Sequence, residues 1–340
     1  MAEANKRQYW IDNIRAIAII LVVIGHSIIL YSSSWSIYKT NISAPYFDIL
    51  KRIINVIQMP LFFALAGYLF YTTMRKRTLK TIFIDKLKRL MIPFLIFSFF
   101  WLLPIRLLIK YPNYQNQNLL KDIIVKKILL GADNGHLWYL PTLFLCFISY
   151  SIIIMIEEKL FNRKNRFLNR WGGEKYKKHY LNLFLGVMAY VAQIVLNMPQ
   201  YIEYLAQYFF WFSLGVLIRE KNFECRSEEY RIVMSILCLC STIIYLCYPN
   251  LLLINISSVL WVLTFFSIRF NKNNKLLAII SENSFGIYLF HSPLVYITYT
   301  YCSNSIPILV FTLNFFVWGG FSLLFSVLLR KSKLKIVLGE

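Results

Sequence analysis

The chain has 340 residues, of which 58% are hydrophobic and 17% aromatic against only 16% charged, a balance that leaves a soluble globule with too little polar surface. A formal charge of +21 would suggest nucleic acid if it lay on one soluble face, but the cations fall in blocks between apolar runs, which excludes that reading. Of six cysteines, Cys146, Cys238, Cys240 and Cys247 lie inside apolar runs, Cys225 lies among basic residues and Cys302 near the opposite side, so no disulfide framework is implied.

Apolar runs recur from end to end, many near the roughly 20 residues that a helix needs to cross a hydrocarbon core about 30 Å thick. Ten are predicted, near 14–32, 50–71, 91–109, 137–156, 181–198, 201–219, 231–248, 251–268, 284–301 and 306–329. The pair spanning 181–219 is broken only around Pro199. The expected fold is an all-α membrane protein of about ten transmembrane helices forming one domain over 1–340. The first run follows Lys6 and Arg7 as a signal peptide would, yet Asp12 and Arg15 interrupt its start and no A-x-A site follows, so a retained helix is expected.

The cations alternate. They cluster before the first run, after the second (Arg75 to Arg89), after the fourth (Lys159 to Lys178), after the sixth and eighth, and in the tail from Arg330. The loops between carry few, among them Lys39, Lys51, Arg52, Arg106 and Lys110. By the positive-inside rule both termini are expected in the cytoplasm, which requires an even number of spans.

Ionisable groups inside spans are costly and therefore candidates for function. His26 follows Arg15 by eleven residues, about 16 Å along a helix and about 20° around it, so the two share one face. Asp12, one turn before Arg15, is placed to orient it. A guanidinium at the cytoplasmic mouth and an imidazole deeper in suit a long ligand with a charged head and a reactive tip, and coenzyme A is such a ligand. The alternative is that His26 only hydrogen-bonds to a neighbouring helix. His291, in the ninth run, shares its face with Ser284, and either histidine could take a proton from a hydroxyl attacking a thioester. Packing explains His291 equally well.

His136, Trp138 and Tyr139 open the fourth run, where interfacial anchoring and stacking against a sugar are both open. His179, among basic residues, is expected to be solvated or lipid-facing. Lys86, Lys88 and Arg89 before the third run read either as positive-inside charge or as a binding place for the phosphates of coenzyme A. No H-E-x-x-H, paired C-x-x-C or Gly-rich phosphate loop is present, so neither a metal nor nucleotide hydrolysis is expected.

The segment Tyr9-Trp10-Ile11-Asp12-Asn13-Ile14-Arg15-Ala16-Ile17-Ala18 leading to Gly25-His26-Ser27 resembles the first helix of acyltransferase family 3, integral membrane proteins that O-acylate bacterial surface glycans and some small molecules. Met59-Pro60-Leu61-Phe62-Phe63, Gly67-Tyr68-Leu69-Phe70, His136-Leu137-Trp138-Tyr139-Leu140 and Phe285-Gly286-Ile287-Tyr288-Leu289-Phe290-His291 continue the likeness over nearly the whole chain. The resemblance implies essential roles for Arg15 and His26. It places donor-binding cations at Lys86 and Arg89, where many members have two arginines; a lysine at 86 keeps the charge and loses the bidentate fork. Some relatives add an extracytoplasmic esterase-like domain, whereas here the chain ends at Glu340 soon after its last run, so transfer is expected within the membrane domain or through a separate partner.

The expectation is a multi-pass O-acetyltransferase of the bacterial cytoplasmic membrane, with acetyl-CoA as donor and no metal. His26 and His291 are its catalytic candidates, and Asp12, Arg15, Lys86 and Arg89 its donor-binding ones. His136, Trp138, Tyr139, Ser284 and Tyr288 are the candidates for substrate. The acceptor is a glycan or lipid-linked sugar; membrane lipid and polysaccharide-synthesis proteins are expected partners and nucleic acid is not. A transporter or flippase for a glycan, and a scaffold, are the rival classes.

Overall fold

The computed structural model describes residues 9–33, 35, 37–115, 120–164, 178–223, 227–268 and 274–339. Cys225 and the loop cations Lys6, Arg7, Arg166, Arg170, Lys175, Lys177, Arg226, Arg269 and Lys272 lie outside them. Helices occupy all ten predicted runs: α1 Tyr9–Ser27, α2 Pro45–Met74, α3 Leu79–Leu108, α4 Tyr139–Lys164, α5 Lys178–Val195, α6 Gln200–Glu220, α7 Glu228–Cys247, α8 Leu251–Ser267, α9 Lys275–Cys302 and α10 Pro307–Lys331. No strand occurs among the described residues, and the protein is an all-α membrane protein.

Seven of these helices are long and apolar enough to cross a membrane by length and composition. Two others, α5 and α8, are apolar but shorter. The 28-residue α9 has the length and falls short in hydropathy, because Ser281, Asn283, Ser284, His291 and Ser292 turn inward along it and are buried.

Local chemistry explains where the helices begin. Thr78, Ser227, Asn250 and Asn274 each accept a backbone N–H at the start of α3, α7, α8 and α9. Pro45 and Pro307 open α2 and α10, where a missing N–H costs nothing. The first helix departs from expectation, lying five residues earlier than 14–32. Trp10 is buried edge-on against Tyr68 and Phe266, which draws the helix start back, and Ser27 folds its hydroxyl onto the Val23 carbonyl as the helix ends. His26 therefore closes α1 rather than lying mid-helix, while the 30-residue α2 and the 28-residue α9 continue past it.

Helix α2 is central and packs on α1, α6 and α8; α1 is held between α2 and α9, and α9 also packs on α10. The α2–α6 contact is backbone to backbone. A Cβ added at Gly67 would stand 1.9 Å from the Phe212 carbonyl oxygen, and one at Gly215 1.8 Å from that of Ala64. Helix α3 contains two wide turns, Leu87–Met91 and Ser98–Leu102, each just before a proline (Pro93 and Pro104) that cannot donate to the preceding turn.

Candidate active site: a histidine pair at the end of an arginine-lined cavity

A cavity of about 230 Å³ opens between α1, α2, the start of α4 and α9. Arg15 and His26 both line it, as their spacing predicts, with Val22 between them on the same face. Met59, Phe62, Leu65, Ala66 and Leu69 of α2 form an apolar wall. Leu90, Leu143 and Phe285 add to that wall, and His136, Trp138, Tyr139, Ser284 and Tyr288 complete the lining. Arg15 is about one-third exposed and lies 3.6 Å from Asp12, whose carboxylate also accepts from Ser281 Oγ at 3.1 Å. Asp12 thus braces the arginine from behind and ties α1 to α9.

The polar end of the cavity is a chain of imidazoles. His291 is fully buried, and its Nδ1 lies 2.9 Å from the carbonyl oxygens of both Ile287 and Tyr288. Carbonyls only accept, so Nδ1 carries the proton and Nε2 of the neutral ring carries a lone pair. That Nε2 is 3.0 Å from His26 Nδ1, which also lies 3.1 Å from the Val22 carbonyl; His26 Nδ1–H donates to both. Nε2 of His26 is left with the lone pair and no partner within the pair. The backbone of His26 is fixed as well, since Tyr299 donates its hydroxyl to the His26 carbonyl at 2.5 Å. His291 thus acts on His26 from behind and positions it.

His136 reaches the same cluster, its ring 5.5 Å from that of His291. Its Nε2 donates to the Leu289 carbonyl at 3.2 Å and its own carbonyl accepts from Tyr288 at 2.5 Å. The Leu289 carbonyl is available because Pro293, four residues on in α9, has no N–H to offer it. His136 Nδ1 is buried without a hydrogen-bond partner. Among the described residues no three His, Cys, Asp or Glu side chains converge as metal ligands.

Sequence reasoning did not single out what sets the His136 segment. Arg106 of α3 is completely buried and donates to the Asp133 carboxylate at 3.1 Å, to the Asp133 carbonyl at 2.9 Å and to the Tyr114 hydroxyl at 3.0 Å. Tyr111 and Tyr114 lie beyond the end of α3, and burial raises both phenol pKa values, so they stay protonated beside the pair. Gly135 adopts φ 57°, and a Cβ there would stand 2.7 Å from Arg106 Nη2. A buried cation near the end of an apolar run was the available signal. A second omission is Lys51, also buried: with Gln58 it closes on Gly25, where an added Cβ would lie 3.1 Å from Lys51 Nζ and 3.0 Å from Gln58 Oε1. Two polar groups of α2 thus stand one residue from His26.

The other cations lie elsewhere. Lys86 Nζ sits 3.8 Å over the ring of Phe147, and Arg89 is exposed; neither lines the cavity. His179 departs from the expectation of a solvated or lipid-facing side chain. Its Nδ1 is hydrogen-bonded with the Tyr150 hydroxyl at 2.6 Å and its ring stacks on Tyr150, because α5 brings it against α4.

A bundle of apolar helices enclosing a cavity, with a guanidinium at one end and an oriented imidazole at the other, defines an integral membrane protein equipped for proton-coupled group transfer. The chain matches the model of the acyltransferase domain family Acyl_transf_3 over residues 8–331, and belongs to that family: it is a multi-pass membrane acyltransferase. No curated protein and no solved structure matches it.

Proposed function

We propose that the protein moves an acetyl group from cytoplasmic acetyl-CoA to a hydroxyl of a surface or lipid-linked glycan, across the bacterial cytoplasmic membrane. The observation that carries this reading is the single cavity lined by both Arg15 and His26, with His291 holding His26 Nδ1. Arg15 meets the phosphates of the donor, the apolar wall from Met59 to Leu69 takes the flexible arm, and the thioester comes to rest by His26. His26 Nε2 accepts the proton of the acceptor hydroxyl as its oxygen attacks the thioester carbonyl carbon. The C–S bond breaks, and the thiolate of coenzyme A recovers the proton from His26. As the imidazole becomes cationic, its Nδ1–H bond to His291 strengthens. The ten helices cross the bilayer with both termini in the cytoplasm, as the alternation of basic loops indicates.

The test is compositional. A strain carrying His26→Ala is expected to lose a base-labile acetate from its glycans while glycan export continues. Halted export with the ester retained would mean a transporter, and an unaltered ester with the protein still present would mean a scaffold.

A further inference from the structure

A second cavity, of about 370 Å³, lies on the other side of α2, between α5, α6 and α8. Its polar lining is of one kind. Asn55, Gln58, Gln207 and Asn255 contribute four carboxamides, Ser258 a hydroxyl, and no charged side chain takes part. Two tryptophans, Trp138 and Trp211, and the phenols Tyr190 and Tyr208 supply flat faces. Gln58 is nine-tenths buried, and its Oε1 has no hydrogen-bond partner although its Nε2 donates to Asn55. That oxygen faces Gly25 of α1, so the polar groups offered to a ligand are the carboxamides of Asn55, Gln207 and Asn255.

We propose that this cavity binds the saccharide acceptor, and that it takes an uncharged sugar ring. The assignment rests on the acyl-transfer reading and names the place of its second substrate. Carboxamides offer both donors and acceptors, as neighbouring sugar hydroxyls require, and aromatic faces cover the apolar C–H side of a ring. A phosphate or carboxylate would find no cation among these walls, so a lipid headgroup or an acidic sugar is the wrong occupant. Position agrees with chemistry. The lining residues lie between the middle of α5, α6 and α8 and the loops 196–199 (α5 to α6) and 248–250 (α7 to α8), which carry no Lys or Arg and lie outside under the charge pattern. Met59 and Trp138 line both cavities, so these two side chains are the partition across which a hydroxyl must reach His26. Gln58, which lines this cavity, also reaches Gly25 of α1, next to His26.

The experiment uses the full chain in lipid nanodiscs, with tryptophan fluorescence titrated by p-nitrophenyl glycosides of neutral hexoses and by the glucuronide. Saturable quenching by at least one neutral glycoside is expected, weakened about tenfold or more by Gln207→Ala and by Asn255→Ala. Thermal unfolding of each variant checks that it is folded; Gln207→Ala serves should Asn255→Ala, which loses a bond to Tyr190, fail to fold. Absence of saturable binding, binding indifferent to both variants, or tightest binding of the glucuronide overturns the assignment. The acyl-transfer reading fails separately, through acetyl transfer that survives His26→Ala.

Discussion

Replacing His291 by phenylalanine fills the buried volume and removes the lone pair that accepts from His26 Nδ1 at 3.0 Å. The bond lost is one to an imidazole that becomes cationic during transfer, worth about 1.5–3 kcal/mol, so kcat is expected to fall about 10- to 150-fold. The KM for acetyl-CoA should stay the same, because Arg15 and the apolar wall are untouched. His291→Gln keeps a carbonyl oxygen that can accept from His26 and should recover part of the loss. In the double variant with His26→Ala the phenylalanine should cost nothing further, since its only route to the reaction is through His26. Release of coenzyme A thiol by protein in nanodiscs, with acceptor present, measures all four. A folded His291→Phe protein with wild-type kcat, or losses that multiply in the double variant, would refute the role given to His291.

Arg15→Ala should raise the KM for acetyl-CoA about tenfold or more and leave that for S-acetylpantetheine, which lacks the nucleotide phosphates, unchanged; steady-state assays with the two donors decide this. Arg106→Met should cost about 3–5 kcal/mol of stability by stranding the Asp133 carboxylate, and is expected to lower the unfolding temperature sharply and to detach the His136 segment. Gly67→Ala forces a Cβ onto the Phe212 carbonyl, and should destabilise the protein by about 1–3 kcal/mol or more, read as earlier unfolding on heating in detergent.

Much of this architecture is legible in the amino-acid sequence. Ten apolar runs gave ten helices, and the eleven-residue interval between Arg15 and His26 placed both in one cavity because a straight helix repeats its direction over that distance. Ser284 and Tyr288, one turn apart on α9, line the same cavity, whereas His291, expected on the face of Ser284, lies behind His26 and does not. What escaped depends on partners far apart in sequence. The His26–His291 bond joins residues 265 apart, and the Arg106–Asp133 bond joins α3 to the segment before α4, 27 residues away. Periodicity says which face a residue occupies and nothing about which helix will lie opposite. Lys86 illustrates the limit: its charge is legible in the sequence, whereas the packing of α3 on α4 that sets its Nζ over Phe147 is not. Helix ends shifted where caps and aromatic contacts, rather than hydropathy, decided them, as at Trp10 and Asn274.

The most direct measurement is a cryo-EM structure of the protein with a thioether analogue of acetyl-CoA. Phosphates at Arg15, the arm along Phe62 to Leu69 and the acyl carbonyl facing His26 Nε2 are the expected result. Density for the analogue in any other place, or an acyl group turned away from His26, would contradict the account.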